Sequence, residues 1–356
     1  MLSLIFINSS KLWGGNEKWT ISAAQGLSQR GHMVVLVCRS RVMENRAHEV
    51  GVRVEKIGLR SDLDLFSILK LWSLIIRQKA DALILTRGRD YWLGGLAGRL
   101  AKIPLIVGRL GLVRRLERRV KNRLILERFL DRLVVNAQAI REGLRCFGNL
   151  KVDVLYNGIK VEDYQGGDGK KVRRELGVGE DTPLIGSIGR LTGQKGMDIF
   201  LQTCRVLSRR FPQAKFLIVG EGPMVDELKA QARGLGERVI FTGFRPDIPD
   251  ILAALDVVVI SSRNEGVPNL LLEAMAARRP IVTTSVAGIS EAVRDGQEAL
   301  LVEGLNSHQL AERVSRILQE PQLGRGLGER AYLKAERDFS LDLIIKRWED
   351  YLQNEC

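Results

Sequence analysis

"DVVVISSRNEGVPNLLLEAMAARRPIVTT", residues 256–284, contains an apolar strand, a loop, a helical segment and a second apolar strand. Both strand segments are apolar on both faces, a pattern typical of parallel strands that helices cover on either side. Two such strands joined by a helix predict one βαβ unit of a doubly wound α/β fold. The remaining sequence indicates how far this unit repeats.

The same alternation continues through both halves of the chain. Further strand segments in the second half are TPLIGSIG (182–189), AKFLIVG (214–220), RVIFTG (238–243) and EALLV (298–302). The first half is less regular, with LSLIFIN, HMVVLVC, VRVEKIG, ADALILTRG, IPLIVGR and RLVVNA. We predict two Rossmann-like parallel-sheet domains facing a cleft, 1–163 and 164–340, because turn residues and Gly-Gly interrupt the pattern within 154–171. A last helix is predicted over 341–356; the sequence leaves its docking place open, and docking back onto the first domain is one option.

The charge is divided unevenly between these halves. Residues 1–165 contain 29 Lys and Arg against 15 Asp and Glu, a net charge of +14, while the remainder carries 26 against 27, a net charge of −1. A basic half indicates an anionic partner, which could be a membrane surface, a phosphorylated acceptor or a nucleic acid. The alternative is that these basic residues only keep the protein surface soluble and bind no partner.

Several protein classes do not fit the sequence. The start, MLSLIFINSS, has no basic lead-in and is predicted to be a strand, not a signal peptide. No apolar run approaches the roughly 20 residues of a membrane-spanning helix. The cysteines are scattered and form no CxxC pair, which indicates free thiols in a reducing cytoplasm and no zinc site. They are Cys38, Cys146, Cys204 and Cys356.

Ligands of open parallel sheets bind beyond the carboxyl ends of the strands, so the loops that follow strands are the candidate sites. In GRLTGQKG (189–196), Arg190 and Lys195 lie in a glycine-rich turn ahead of a helix. Glycines admit an anion close to the backbone and a helix N-terminus favours negative charge, so this loop predicts a diphosphate site, with a plain surface turn as the alternative. GEGPM (220–224) is a near miss for a dinucleotide fingerprint, and either a nucleotide neighbour or a tight turn explains it.

Two glutamates, Glu265 and Glu273, lie eight positions apart in the loop and helix of the opening stretch. Pro268 is predicted at the first helical position. Residues 270–277 are apolar except at Glu273, so this acid is predicted to be buried. A buried carboxylate costs several kcal/mol unless it is hydrogen-bonded or paired. Ligand hydroxyls would satisfy Glu273, and a structural hydrogen bond from a neighbouring backbone amide is the alternative.

This combination of motifs resembles the retaining family 4 glycosyltransferases of the GT-B fold. The resemblance is carried by E-x7-E with GRLTGQKG upstream and GEG between them, and more loosely by GGNEKW (14–19) and RGHMVVLV (30–37). YNGIKVEDY (156–164) is similar to the family's interdomain segment, with Tyr156 where proline is usual. The likeness covers nearly the whole chain and is strongest in the second half.

The resemblance implies transfer of a sugar, with retention, from a nucleotide-diphosphate sugar such as a UDP-, GDP- or ADP-sugar. Arg190, Lys195 and Glu265 are the implied catalytic residues: the two cations neutralise the departing diphosphate, and the acid contacts sugar hydroxyls. Glu273 would accept hydrogen bonds from the ribose. The other implied donor contacts, several of them through the backbone, are Gly15, Glu221, Arg245, Gly266, Val267, Pro268, Asn269 and Leu270. Two cations at the diphosphate make a metal unnecessary, so neither a metal nor another cofactor is expected.

The acceptor side departs from the family pattern. Many relatives carry a histidine after the strand that corresponds to IPLIVGR, and here Arg109 occupies its approximate place. Arg109 could orient a sugar oxygen or bind an acceptor phosphate, but it cannot act as a general base. TRGRDYW (86–92) ends a strand, which makes Arg87, Arg89 and Asp90 candidate acceptor contacts. The expected acceptor is a glycan, phosphorylated or lipid-linked.

Residues 112–133, LVRRLERRVKNRLILERFLDRL, are predicted to form a basic amphipathic helix. Such a helix rests on anionic lipid, or else it is a domain helix with a solvated basic face. The first interpretation predicts a cytoplasmic protein, peripheral on the inner face of the membrane, in bacterial envelope polysaccharide or lipopolysaccharide biosynthesis.

Rival functions remain. A nucleic-acid-binding protein would explain the basic half, but the basic residues are not interleaved with aromatic residues, which are 6% of the chain, so no nucleic acid is expected. Another GT-B enzyme, such as a sugar-nucleotide epimerase or a phosphorylase, is a second alternative, and an epimerase would release its products without an acceptor. A non-catalytic sensor would bind the donor without turnover.

Overall fold

The computed structural model of the chain describes residues 1–111, 120–145 and 150–356. They form two compact α/β units: the N-terminal unit, Met1–Gly158 with Asp342–Cys356, and the C-terminal unit, Ile159–Leu341. The sequence placed this boundary between residues 163 and 164, inside a short 3-10 helix, Val161–Tyr164. The backbone amide of Ile159 donates to the carbonyl of Phe339, so the chain joins the C-terminal unit before that helix begins.

The described residues of the N-terminal unit form seven parallel strands in the order β3-β2-β1-β4-β5-β6-β7. They are β1 (Ser3–Asn8), β2 (Met33–Cys38), β3 (Arg53–Lys56), β4 (Ala82–Leu85), β5 (Leu105–Leu110), β6 (Arg132–Val135) and β7 (Val152–Val154). The first six confirm the predicted strands. β7 escaped prediction because it is three half-buried residues long and lacks an apolar run.

Helices cover this sheet. They are α1 (Gly15–Gln29), α2 (Arg41–Glu49), α3 (Leu65–Gln78), α4 (Gly88–Ala101), α5 (Val120–Phe129), α6 (Gln138–Gly143) and, from the chain end, α15 (Leu341–Glu355). α5 lies within the helix predicted over 112–133 and ends at Phe129. The prediction extended too far, because Arg132 and Leu133 belong to β6. Residues 112–119 lie outside the described part of the chain.

The last helix is anchored inside the N-terminal unit by aromatic and polar contacts. The rings of Trp19 and Trp348 lie 5.3 Å apart. The Nε of Arg30 and the Nε2 of His32 donate to the carboxylate of Glu349 at 2.6 and 3.0 Å. The Nδ1 of His32 accepts from the backbone amide of Leu2 at 3.0 Å, so this histidine has a structural role in the N-terminal unit.

The C-terminal unit contains six parallel strands in the order β10-β9-β8-β11-β12-β13. They are β8 (Leu184–Ile188), β9 (Lys215–Val219), β10 (Val239–Gly243), β11 (Val257–Ile260), β12 (Ile281–Thr284) and β13 (Leu300–Val302). All six confirm predicted strands. The chain winds outwards in one direction from β8 and in the other from β11, so the strand order reverses between these two strands.

Eight helices surround the second sheet within the described residues. They are α7 (Gly169–Glu175), α8 (Met197–Arg210), α9 (Val225–Ala232), α10 (Ile248–Ala254), α11 (Asn269–Ala276), α12 (Ile289–Ala292), α13 (Ser307–Gln319) and α14 (Pro321–Phe339). The first residue of one helix, α11, differs from the prediction. Pro268 was predicted at the first helical position, but it is the N-cap of α11, with ψ of 143°. The fixed φ of proline suits extended backbone as well as the first helical turn.

Some features are absent from the part of the chain that the structure describes. None of its helices is long and apolar enough to cross a membrane. In the same ranges, no three His, Cys, Asp or Glu side chains come together as they would around a metal ion. Cys38, Cys204 and Cys356 are free thiols, as predicted, and Cys146 lies outside the described ranges.

Candidate functional site

The loops after β8 and β11 begin at the same edge of the C-terminal sheet, because the two strands are adjacent and parallel. This is the point where the strand order reverses. Open α/β sheets bind ligands in the crevice at such a switch point, where helix N-termini are directed outwards. The loop 189–196 leads into α8, and the loop 261–268 leads into α11. The fold therefore brings together two loops that the sequence had singled out separately.

Hydrogen bonds hold these two loops against each other. The backbone amide of Arg263 donates to the carbonyl of Gln194 at 2.8 Å, and the Nε2 of Gln194 donates to the carbonyl of Asn264 at 2.8 Å. Gly196, with φ of +64°, lies so close to the facing strand end that a Cβ would be 1.9 Å from the carbonyl oxygen of Ser261. Only glycine combines this left-handed backbone with that approach.

Lys195 and Glu265 meet across the two loops. The Nζ of Lys195 lies 2.5 Å from the Oε1 of Glu265, whose side chain is only 6% exposed. The hydroxyl of Ser262 donates to the same oxygen at 3.2 Å. A nearly buried carboxylate is costly without compensation, and the ammonium group supplies it. The sequence had assigned the two residues to different parts of a ligand and did not predict that they pair.

Arg190 differs from Lys195 in its surroundings. Its side chain is exposed and forms no ion pair with a residue that the structure describes. The loop that carries it has a glycine, Gly189, as its first residue, and the backbone amide of Leu191 donates to the carbonyl of Glu221 at 2.8 Å. The turn after β9, GEGPM, is thereby attached to the loop after β8. An exposed cation next to a glycine-rich turn is what an anion site requires.

Arg245 is held by acidic neighbours. Its Nη2 donates to the Oε2 of Glu175 at 3.0 Å, and its Nε and Nη2 donate to the carboxylate of Asp247 at 2.8 and 2.6 Å. The hydrogen bonds from Arg245 lower the pKa of both Glu175 and Asp247. The guanidinium group is therefore occupied by hydrogen bonds within the C-terminal unit. A ligand in this region would contact the backbone of residues 243–245 and not the Arg245 side chain. The amide of Phe244 already lies 3.4 Å from the Oε1 of Glu221.

Glu273 is buried on the second turn of α11, as predicted. The hydroxyl of Tyr164 donates to its Oε1 at 2.9 Å. Burial, together with the adjacent carboxylate, raises the pKa of Tyr164. Sequence reasoning missed this tyrosine, although it ends the segment YNGIKVEDY that was compared with the family. The residues that lead into the helix, Gly266 to Pro268, are buried as well.

In the N-terminal unit, the candidates from TRGRDYW separate into buried and accessible groups. Asp90 is fully buried, accepts from the backbone amide of Ser9 at 3.1 Å, and burial raises its pKa to about 7. The Nη1 of Arg87 donates to the hydroxyl of Ser10 at 2.7 Å and to Glu17 at 3.1 Å. Arg89 is more loosely held, with its Nε 3.5 Å from Asp62.

Arg109 is 4% exposed and lies within β5, not in a loop. Its Nη1 and Nη2 donate to the side-chain oxygens of Asn16 and Asn157 at 2.7 and 2.6 Å. Its guanidinium carbon lies 3.6 Å from the centre of the Trp19 ring. Burial lowers its pKa to about 9. Arg109 thus links the start of α1, directly after Gly15, to the segment that follows β7.

Sequence profiles place the chain among known enzymes. A profile described as "Glycosyltransferase Family 4" matches residues 13–163, and one described as "Glycosyl transferases group 1" matches residues 182–320. The chain belongs to the family 4 glycosyltransferases, as its motifs predicted. D-inositol 3-phosphate glycosyltransferase of Actinosynnema mirum is 31% identical over 71% of this chain and 68% of that protein.

Other relatives are similar over different shares of their length. Alpha-D-kanosaminyltransferase of Streptomyces kanamyceticus is 32% identical, but the match covers 45% of this chain and 42% of that protein. The chain spans less than half the length of this protein, and less than half the length of the D-inositol 3-phosphate glycosyltransferase of Nocardia farcinica. The lipopolysaccharide core biosynthesis glycosyltransferase LpsE of Rhizobium meliloti is 27% identical over 96% of this chain and 95% of its own.

Solved structures confirm the predicted fold class. Anabaena HepE in complex with UDP-glucose matches with a TM-score of 0.89 at 24% identity, over 99% of this chain and all of that one. WaaG, a glycosyltransferase involved in lipopolysaccharide biosynthesis, matches with a TM-score of 0.75 at 18% identity, over 98% of this chain and 99% of its own. The two parallel-sheet units are those of the GT-B fold.

Proposed function

We propose that the chain is a retaining, metal-independent glycosyltransferase that moves a sugar from a nucleotide-diphosphate sugar to a glycan, phosphorylated or lipid-linked acceptor. The juxtaposition of Lys195 and Glu265 at the switch point of the C-terminal unit carries this proposal. One group suits a diphosphate and the other suits sugar hydroxyls, and the two lie in direct contact. LpsE and WaaG are named for lipopolysaccharide biosynthesis, and we propose a role in envelope glycan synthesis for this chain as well.

The proposed chemistry follows from the charges. When the bond between the sugar and the diphosphate breaks, negative charge accumulates on the departing oxygen. Arg190 is exposed and forms no ion pair among the described residues, so it is ready to meet this charge. Lys195 would exchange its carboxylate partner for the phosphates, which frees Glu265 to accept from sugar hydroxyls. Positioned cations of this kind stabilise the transition state without a metal ion.

The rest of the donor would lie along α11. Backbone groups from Gly266 to Leu270 precede or open this helix, whose N-terminus favours the phosphates. Glu273, already holding Tyr164, would use its remaining acceptor capacity for the ribose. The base would lie against the backbone near Arg245, since the side chain of that residue is occupied.

The acceptor would be bound by the N-terminal unit. Arg87 and Arg89 keep 42% and 36% of their side chains exposed and are the proposed contacts. Asp90 and Arg109 are buried, so we now propose that they act by positioning the loops around these arginines. One relative is named as a galactosyltransferase acting on a diphosphoundecaprenol-linked sugar. A lipid-linked acceptor of that kind would bring the protein to the inner face of the membrane.

A thermal-shift series tests the donor proposal. UDP, GDP, ADP and CMP, with their sugar conjugates, are compared on the wild type, on Lys195→Ala and on Lys229→Ala, an exposed lysine of α9. We expect one diphosphate to stabilise the wild type and Lys229→Ala, and Lys195→Ala to lose most of the shift. An unchanged shift in Lys195→Ala would refute the diphosphate assignment. Retention is checked by the anomeric configuration of the product.

A further inference from the structure

Helix α3 has two apolar faces, and only one of them is used by the fold. Its inner face contributes Ile68, Leu71, Leu74 and Ile75 to the core of the N-terminal unit. A surface helix normally carries one apolar stripe, with polar residues opposite. The outer face of α3 is also apolar, although nothing in the described part of the chain covers it.

The outer surface is contiguous along the helix. Six large hydrophobic residues between positions 63 and 76 are exposed, from 42% for Trp72 to 83% for Leu63. These six residues, named here the α3 surface, are Leu63, Leu65, Phe66, Leu69, Trp72 and Ile76. Successive helical residues are turned by about 100°, so the four at positions 65, 69, 72 and 76 fall within an arc of about 60°. They form one straight ridge over three turns.

Exposed cations lie along α3 beside the α3 surface. No Asp or Glu occurs between residues 65 and 80, whereas Lys70 and Lys79 do occur and are exposed. A third cation, Arg77, donates to Glu55 of β3 at 3.1 Å. The Nζ of Lys70 lies 4.5 Å from the centre of the Phe66 ring. The nearest acid in sequence, Asp64, caps the helix by accepting from the backbone amide of Ser67 at 3.0 Å. Exposed cations therefore flank an apolar ridge that carries no acid.

We propose that the α3 surface docks on an anionic lipid bilayer. The ridge would enter the boundary between headgroups and acyl chains, with Trp72 at the level that tryptophan prefers, while Lys70 and Lys79 contact lipid phosphates. Helices with this combination of an apolar ridge and flanking cations lie in the plane of the interface. This surface is separate from the basic segment 112–133 that the sequence had suggested.

The charge pattern favours a bilayer over a second copy of the chain. Two copies meeting through this ridge would bring together the cations that flank it, and like charges oppose such contact. An anionic surface instead gains about 1 kcal/mol from each nearby Lys or Arg. The inference rests on the proposed function only in that a lipid-linked acceptor requires access to a membrane. Donor binding belongs to the C-terminal unit and can be measured separately.

Vesicle sedimentation tests this surface. Purified protein is mixed with vesicles of phosphatidylcholine alone or with about one third phosphatidylglycerol, and the bound fraction is measured for wild type, Leu69→Glu and Leu333→Glu. Leu333 is a matched control, because it is 57% exposed on α14 in the C-terminal unit. We expect binding to the anionic vesicles only, a loss of at least about tenfold for Leu69→Glu, and no change for Leu333→Glu. Lys70→Gln is expected to weaken binding about fivefold.

Tryptophan fluorescence locates the contact. Binding is expected to shift the emission to shorter wavelength, and Trp72→Phe is expected to remove the shift while most of the binding remains. Equal binding of Leu69→Glu and wild type would overturn the proposal. So would a concentration-dependent dimer in sedimentation velocity that Leu69→Glu abolishes, because a second copy would then cover the ridge. Leu69→Glu should keep the nucleotide thermal shift, which separates failure of this surface from failure of the donor site.

Discussion

The ammonium of Lys195 lies 2.5 Å from the carboxylate of Glu265, so an ion pair between two candidate site residues joins the two loops at the switch point of the C-terminal sheet. In the proposed mechanism these groups take different parts of one ligand. A bound donor would therefore replace their ion pair by two contacts of its own. The pair keeps an almost buried acid compensated until the donor arrives.

Replacing Glu265 by glutamine separates binding from turnover. Glu265→Gln removes the negative partner of Lys195, so affinity for the nucleoside diphosphate alone should be unchanged or up to about fivefold tighter, because roughly 1 kcal/mol of competing attraction is lost. Transfer should fall about a hundredfold or more, since the sugar is no longer held in position. Calorimetry and product formation measure the two effects, with the exposed Glu237→Gln as control. Weaker diphosphate binding with normal turnover would contradict the assignment.

The contact between Tyr164 and Glu273 predicts different effects for its two members. Tyr164→Phe removes a buried hydrogen-bond donor, which should lower stability by about 1–3 kcal/mol without changing the preference among nucleotides. Glu273→Gln should instead reduce the preference for a ribonucleoside diphosphate over its 2′,3′-dideoxy analogue. Competition binding with the two nucleotides measures this preference. If the wild type bound the two nucleotides equally well, Glu273 would not be a contact of the ribose.

Arg109 is predicted to be a positioning residue and not an acceptor contact. Arg109→Met loses two hydrogen bonds and the contact with Trp19, and should destabilise the N-terminal unit by about 2–4 kcal/mol. Hydrogen exchange should accelerate in α1 and in residues 155–158, the segments that this side chain links. The exposed Arg41→Met should stay within about 0.5 kcal/mol of wild type. A stable Arg109→Met that loses only acceptor affinity would support direct acceptor binding instead.

Asp90 is predicted to make the N-terminal unit less stable as the pH rises. Burial raises its folded-state pKa to about 7, whereas an exposed Asp titrates near pH 3.9, so the folded state holds the proton more firmly. Protonation of Asp90 contributes fully to the free energy of unfolding below about pH 4. This contribution is lost as the pH rises to about 7, and above that pH Asp90 causes no further change. Asp90→Asn lacks this dependence. The free energy of unfolding of wild type minus that of Asp90→Asn should therefore fall by up to about 1.4 kcal/mol per pH unit in that window.

Urea unfolding at pH 5 and pH 8 measures this difference, with the exposed Asp350→Asn as control. The control should run parallel to the wild type at both pH values. A difference between wild type and Asp90→Asn that is independent of pH would show that the carboxyl group of Asp90 is ionised throughout this range.

Most of the secondary structure was predictable because its signal is local. Parallel strands that helices cover on both sides are largely apolar, and all six strands of the C-terminal sheet were predicted from this pattern. The errors have local causes too. β7 is too short to carry a pattern, and Pro268 suits an N-cap as well as a first turn. The buried acid in α11 was also predictable, since Glu273 interrupts an otherwise apolar helix.

The sequence by itself determined the two doubly wound sheets, the loops that could hold a ligand and the family to which the chain belongs, because these depend on patterns between neighbouring residues. Only the tertiary structure decided which side chains meet: Lys195 with Glu265, Tyr164 with Glu273, and Arg109 with two asparagines on separate segments. It also decided that one face of α3 stays exposed although both are apolar. These contacts join residues that are distant in sequence. The order of strands in each sheet determines which of them come close together, and local periodicity does not encode that order.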